Sequence, residues 1–134
     1  MRKRTLCLDF DGVCNIYISG YEGPTVISDP PVPGLFEFLE QAVEKFEVHI
    51  YSSRSGHEGG IEAMQEWLEI WWREYHKPHH PDEHNRGLYE YLDMIEWPIT
   101  KPPAFVSIDD RAITFTGEWP DVEELQNFKP WNKK

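Results

Sequence analysis

Three short apolar stretches, separated by segments with helical periodicity, constrain the fold of this chain more than any other feature. They cover residues 4–9, 46–51 and 104–108, and each has the length and composition of a buried strand. Residues 33–45 and 59–76, which follow the first two, carry apolar side chains at steps of three and four. Strands that alternate with such helices are typical of a parallel sheet with helices on both faces. We therefore predict a three-layer, Rossmann-like α/β fold.

Weaker patterns predict the rest of the chain. Residues 12–33 are rich in Gly and Pro, which indicates an ordered loop with a hairpin near Ser19 and Gly20. Further expected elements are a helix over residues 83–95, an edge strand over 113–115 and a helical segment over 121–127. No repeat or linker divides the chain, so residues 1–134 are interpreted as a single domain.

The charge balance excludes several classes of function. The chain has 13 Lys and Arg residues against 24 Asp and Glu residues, a formal net charge of −11. An extended nucleic-acid footprint needs clustered positive charge, and so does attachment to an anionic membrane surface. We therefore expect neither of these partners.

Localisation follows from the N-terminal segment and the cysteines. No apolar run approaches the roughly 20 residues that cross a bilayer, and Asp9 and Asp11 interrupt the only stretch that resembles a signal peptide. Cys7 and Cys14 have neither a disulfide-scaffold spacing nor a zinc spacing. A reduced, cytoplasmic protein is the simplest interpretation.

Carboxylates follow the first and third predicted strands. Asp9 and Asp11 are two residues apart in an extended segment, so both point to one side, and Gly12 allows a sharp turn after them. Asp109 and Asp110 end the third strand, and ligands of parallel sheets gather at these strand ends. Hard oxygen ligands of this kind suit Mg²⁺, and a carboxylate can also attack phosphorus. Taken alone, Asp9–Gly12 is equally typical of a turn with capping acids.

A hydroxyl and a lysine complete the set at the strand ends. Ser52 follows the second strand and could bind a phosphoryl oxygen together with the backbone N–H groups of Ser53 and Arg54. Lys101, which precedes two prolines, could neutralise charge on a transferred phosphoryl group. Alone, Ser52 is better explained by local bonds in a Ser-rich loop, and Lys101 could equally be a solvated surface lysine.

These residues together resemble the haloacid dehalogenase-like (HAD) superfamily of phosphohydrolases. Residues 6–13 match its first motif, an apolar strand followed by Asp-x-Asp-Gly, and residues 48–52 match its second, a strand that ends in Ser. Lys101 is the best match to the third, ahead of Lys77, and residues 105–110 match the fourth, a strand that ends in paired acids. The motifs occur in the order typical of the family, which implies a small HAD-like catalytic domain without a large cap.

The resemblance implies a magnesium-dependent phosphatase. Asp9 would be the nucleophile that forms an aspartyl-phosphate intermediate, and Asp11 would be the general acid and base. Mg²⁺ would be held by Asp9, the backbone carbonyl of Asp11 and Asp109, with Asp110 in support. Ser52, Ser53 and Lys101 would bind the phosphoryl oxygens.

Several other residues have competing interpretations. The histidine-rich segment His76–His84 could bind a metal, but it fits a polar link between helices better. Trp67, Trp71 and Trp72 have the spacing of a packed helix face, and partial exposure of one of them leaves a homodimer contact open. Arg54 is a candidate contact for a substrate phosphate or carboxylate, and Arg111 for a structural ion pair with an acid.

Two alternative functions remain at this stage. A phosphoacceptor signalling domain of the receiver type uses similar residues, but it needs an Asp where this chain has Ser52 and Ser53. A non-catalytic binding module would have the same fold but no catalytic activity. A site without a cap would be open, which fits either a small phosphorylated metabolite or a macromolecular phosphate as the substrate.

Overall fold

A parallel sheet forms the centre of the fold. The computed structural model describes residues 2–76 and 90–133. Its strands are β1 (Arg4–Leu8), β2 (Phe46–Ile50) and β3 (Val106–Ile108). β1 lies in the middle and pairs in parallel with β2 on one side and with β3 on the other. The prediction of an α/β fold with a parallel sheet is confirmed.

Helices follow the strands at the predicted places. They are α1 (Leu35–Lys45), α2 (Gly60–His76), α3 (Glu90–Asp93) and α4 (Val122–Gln126), with 3₁₀ turns at Ser53–Gly56 and Trp131–Lys133. The helix predicted over residues 83–95 is described only at α3, because residues 77–89 lie outside the described part of the chain. α4 begins as expected: Asp121 accepts a hydrogen bond of 3.0 Å from the backbone N–H of Glu123 and caps the helix.

The apolar core lies on one face of the sheet. Leu6 pairs in register with Val48, and Leu8 with Ile50, so these four side chains point the same way. Buried side chains of α1 and α2 belong to the same apolar cluster. The opposite face carries the more polar row of Cys7, His49 and Ser107. A second helical layer over that face stays a prediction.

The long loop after β1, residues 12–33, is ordered, but it contains no hairpin turn at Ser19. Its two ends pair instead: the backbone N–H of Val32 donates to Cys14 at 2.8 Å, and that of Ile16 donates to Pro30 at 3.1 Å. Ser19 donates from both its backbone N–H and its hydroxyl to the buried carboxylate of Asp29. Closure at the base and this internal anchor hold the loop in place, so the predicted hairpin position is wrong. We call residues 12–33 the excursion loop.

The chain after β3 is largely exposed and returns to the excursion loop. The predicted edge strand at 113–115 is wrong, because the described residues 112–116 lie outside the sheet. Their alternating pattern has strand propensity, but a strand needs a neighbouring edge to pair with. Trp119 is 87% exposed, whereas further on the indole N–H of Trp131 donates to the carbonyl of Gly12 at 2.7 Å. Within the described residues no helix has the length and apolar character that a membrane crossing requires.

Candidate functional site

A cleft of about 270 Å³ lies at the carboxyl ends of the strands. Backbone hydrogen bonds align these ends: the N–H of Asp9 donates to Ile108, and that of Tyr51 donates to Leu8, both at 3.0 Å. The cleft is lined by Cys7, Asp9, Tyr51, Ser52, Ser53, Lys101, Ser107, Ile108, Asp109 and Arg111. Five residues that the sequence pointed to separately, Asp9, Ser52, Ser53, Lys101 and Asp109, therefore line one cleft.

Three carboxyl groups lie close together, and two of them, Asp9 and Asp109, line this cleft. Asp9, Asp109 and Asp110 each offer an oxygen within 4.8 Å of the others. The side chain of Asp110 is 1% exposed, and neither of its oxygens has a hydrogen-bond donor among the described residues. Nε of Arg111 lies 3.8 Å from Oδ2 of Asp110. A buried carboxylate without donors is costly, and a cation bound by the cluster would offset that cost.

Burial raises the pKa of Asp9 from its ordinary value to about 8. The close contact with Asp110 and the charges of Asp109 and Asp110 act in the same direction, because they disfavour a second ionised carboxyl group. A hydrogen bond of 2.8 Å from the backbone N–H of Phe10 to Oδ1 of Asp9 opposes the shift only in part. Positive charge added to this neighbourhood would favour the ionised form of Asp9.

Gly12 makes the close approach of Asp110 feasible. Its φ angle is +83°, a conformation that side chains with a Cβ rarely adopt. A Cβ at this position would also overlap the carboxylate of Asp110. Gly12 therefore supports the site in two ways, through the turn that the sequence predicted and through the space it leaves for Asp110.

Asp11 is two residues from Asp9, but its carboxylate is bound by Arg54 and Asn15. Its carboxylate accepts two hydrogen bonds from Arg54, at 2.9 and 3.1 Å, and one from Asn15 at 3.0 Å. It does not line the cleft, so the described carboxyl cluster contains Asp110 in place of the Asp11 side chain. Any metal contact from Asp11 would have to come from its backbone carbonyl, as the resemblance implies.

Arg54 is buried, with 1% exposure, and does not reach the cleft. The expectation that it touches a substrate is therefore wrong for this structure, because its guanidinium is bound to Asp11 and to carbonyls of the excursion loop. Arg54 supports the site through Asp11. Sequence reasoning missed this pair because its partners are 43 residues apart and no local pattern connects them.

Ser52 makes the local hydrogen bonds of the Ser-rich loop, and its binding of a phosphoryl oxygen stays a prediction. Its hydroxyl oxygen accepts the backbone N–H of Arg54 at 3.2 Å, and Ser55 accepts the N–H of Ser52 at 3.1 Å, which together form a capping box. Ser52 also lines the cleft beside Ser53. The cap leaves the hydroxyl proton of Ser52 as a donor toward a bound anion.

Two positive side chains border the cleft. Lys101 lies where the sequence predicted a phosphoryl-binding lysine, whereas its rival Lys77 is outside the described residues. Arg111 was interpreted as a structural partner of an acid, and its distant pair with Asp110 agrees with that. It also lines the cleft with 56% of its side chain exposed, a placement that its position directly after Asp109 and Asp110 could have indicated.

The other candidates are accounted for by packing. Trp67 and Trp72 are buried and Trp71 is partly buried, so the prediction of a packed helix face is confirmed, and a dimer contact stays a prediction. His76 is buried on α2, with Nδ1 3.0 Å from the carbonyl oxygen of Trp72. The rest of the proposed histidine metal segment, residues 77–84, lies outside the described residues.

Comparisons of this chain with protein-family models, with curated proteins and with solved structures found no match.

Proposed function

We propose that this protein is a Mg²⁺-dependent phosphatase with a HAD-like, three-layer core, which cleaves phosphomonoesters through an aspartyl-phosphate on Asp9. One observation carries the proposal: Asp9 and Asp109, two members of a cluster of three carboxyl groups, line a single cleft together with Ser52 and Lys101. The acids suit a cation, and Ser52 with Lys101 suits a phosphoryl group. A phosphate monoester with its metal has this distribution of charge.

Mg²⁺ fits the carboxyl cluster on chemical grounds. The oxygens are hard ligands, and the buried carboxylate of Asp110 has no hydrogen-bond donor among the described residues. The raised pKa of Asp9 has the same origin, since burial and neighbouring acids disfavour its charge. Asp9 and Asp109 would hold the ion, with Asp110 in support, and the ion would neutralise charge on the phosphoryl oxygens.

The protein residues divide the reaction into two steps. In the first, a carboxylate oxygen of Asp9 bonds to phosphorus while the bond to the leaving oxygen breaks, and Asp11 gives that oxygen a proton. In the second, Asp11 takes a proton from water, the water oxygen bonds to phosphorus, and the bond to Asp9 breaks. Ser52, Ser53 and Lys101 would bind the phosphoryl oxygens throughout, because their donors face the cleft beside Asp9.

The cleft fits phosphate esters of small or large molecules. The cleft is bordered by exposed side chains, among them Asp109, Lys101 and Arg111, so it would admit a small phosphorylated metabolite or the terminal phosphate of a macromolecule. An open site without a large cap supports either substrate. A panel of phosphorylated compounds, scored by phosphate release, would separate these classes.

The direct test uses the purified protein with a generic phosphate monoester and Mg²⁺. We expect phosphate release that EDTA abolishes and that both Asp9→Asn and Asp11→Asn reduce to background. Asp121→Asn is the matched control, because it makes the same change at an exposed position away from the cleft and keeps a capping side chain.

Two results would contradict the proposal. Full activity in Asp9→Asn would exclude Asp9 as the nucleophile. Stable labelling by acetyl phosphate without turnover would instead favour a phosphoacceptor signalling domain.

A further inference from the structure

Arg54 carries a permanent charge in a buried position, and every nitrogen of its guanidinium has a partner. Nε and Nη2 donate to the two oxygens of Asp11, at 2.9 and 3.1 Å. Nη1 donates to backbone carbonyls of the excursion loop, at 2.8 Å to Gly23 and 3.0 Å to Val26. One side chain therefore joins Asp11 to the loop that follows it.

The bonds to Asp11 leave one acceptor position free. An ionised carboxylate has about four lone-pair positions, two on each oxygen. Oδ1 accepts from Nη2 of Arg54 and from Nδ2 of Asn15, which occupies both of its positions. Among the described residues, Oδ2 accepts only from Nε of Arg54, so a single lone pair of Oδ2 remains available.

Contacts with neighbouring elements also hold the main chain of Arg54 in place. Its N–H donates to the hydroxyl of Ser52 within the capping box that follows β2. At Gly60, the first residue of α2, an added Cβ would overlap the carbonyl oxygen of Arg54. These contacts with the end of β2 and the start of α2 hold the backbone of Arg54 rigidly. Precise orientation of its guanidinium requires such a rigid backbone.

We propose that Arg54 is the positioning residue for Asp11: its two hydrogen bonds fix the orientation of the carboxylate and leave one lone pair of Oδ2 for proton transfer to the leaving-group oxygen. The inference rests on the proposed phosphatase function and adds to it the residue that orients the acid. Asp11 enters the first step with a proton taken from solvent at this position of Oδ2, and that proton passes to the leaving oxygen when the bond between phosphorus and that oxygen breaks. The same lone pair then takes a proton from the attacking water.

The rival interpretation is a purely structural ion pair that anchors the excursion loop. The two interpretations differ in how activity depends on the leaving group. A misdirected acid slows the departure of a basic alkoxide far more than that of an acidic phenolate, because the phenolate leaves without a proton. Loss of a structural anchor would instead lower the turnover of both substrates by the same factor.

The experiment compares an alkyl phosphate with 4-nitrophenyl phosphate in the wild type, Arg54→Lys and Arg54→Ala. We expect kcat for the alkyl phosphate to fall by about 100-fold or more, which is the scale of general acid catalysis, with little change for the nitrophenyl ester. Added guanidinium ion should restore part of the alkyl phosphate activity of Arg54→Ala. Arg73→Ala, which removes an exposed arginine of α2, is the control and should keep both activities.

A milder variant guards against loss of folding. Asn15→Ala removes only the hydrogen bond from Nδ2 to Oδ1 and keeps the ion pair, so we expect the same leaving-group dependence with a smaller amplitude. Equal losses on both substrates in all variants, or higher activity without Arg54, would overturn the positioning role while the phosphatase remains. Hydrolysis of neither substrate by the wild type would instead overturn the proposed function itself, and the positioning role with it.

Discussion

At the residue scale, the site is a balance between buried acids and scarce positive charge. Asp110 is almost fully buried without a hydrogen-bond donor among the described residues, whereas Asp11, close by in sequence to Asp9, is saturated on one oxygen by Arg54 and Asn15. Carboxylates of the first and fourth motifs thus meet opposite environments. Under the proposed function, this contrast would separate an acid that supports a cation from one that transfers a proton.

The raised pKa of Asp9 predicts how stability depends on pH without metal. A pKa that is higher in the folded state than in the unfolded state means that folding favours the protonated form. The stabilisation is therefore complete below about pH 4, which is close to the ordinary pKa of an Asp side chain. It is lost as the pH rises through the folded value, which is about 8. In EDTA, we expect the free energy of unfolding in urea to fall by a few kcal/mol between about pH 5 and about pH 8.

Asp9→Asn is the control for this pH dependence, because it cannot ionise. The variant should show a flatter profile over the same range, and Mg²⁺ should flatten the profile of the wild type. An unchanged slope in Asp9→Asn would assign the pH dependence to other groups.

Gly12 predicts a second effect at a single residue. Gly12→Ala adds a Cβ at positive φ, which costs about 1–2 kcal/mol, and it also pushes against Asp110. Gly20→Ala has a similar φ of +75° with open space around the added atom, so it isolates the backbone cost. We expect Gly12→Ala to destabilise the protein clearly more than Gly20→Ala in chemical unfolding, and to lose phosphatase activity.

Equal effects of the two glycine substitutions would show that Asp110 moves aside freely.

The sequence predicted the turn at Gly12 but not the contact with Asp110, because that contact depends on how β1 and β3 are paired. The residues at the strand ends were predictable, since their positions follow from where each strand stops. The pairing of Asp11 with Arg54 was not, because it depends on the path of the excursion loop.

At the scale of elements, apolar periodicity located the strands and the longer helices to within a few residues. It failed at residues 113–115, where the alternation is real but the segment has no sheet edge to join. It also misplaced the turn of the excursion loop, which is set by Asp29 and by pairing at the loop base. Local patterns thus predict which segments can form an element, and the available partners decide which of them do.

The contact between α2 and the excursion loop is a testable link between elements. The indole N–H of Trp67 donates to the backbone carbonyl of Asp29 at 2.9 Å in a buried position. Trp67→Phe leaves that carbonyl without its donor, which should lower the free energy of unfolding by about 1–3 kcal/mol. Trp71→Phe removes the same atoms at a partly buried position of the same helix and should cost less. A larger loss at Trp71 would contradict the role of this hydrogen bond.

At the scale of the whole molecule, the proposed metal site couples ion binding to folding. An ion that binds the folded protein stabilises it by about 2.7 kcal/mol when its concentration is 100 times the dissociation constant. We therefore expect saturating Mg²⁺ to raise the melting temperature by several degrees. Asp109→Ala should remove most of this shift, whereas Asp121→Asn should keep it. This measurement tests the metal site independently of any catalytic activity.

The pair formed by Arg54 and Asp11 also has a consequence for how such a sequence can evolve. Each partner neutralises the other in a buried place, so replacing one alone leaves an uncompensated charge, which typically costs 3–5 kcal/mol. A lineage that lost the acid would then be under selection to lose the arginine. Asn15 would lose its acceptor, and the loop carbonyls would lose their donor. Positions 43 residues apart would be inherited as a single character, present together or absent together.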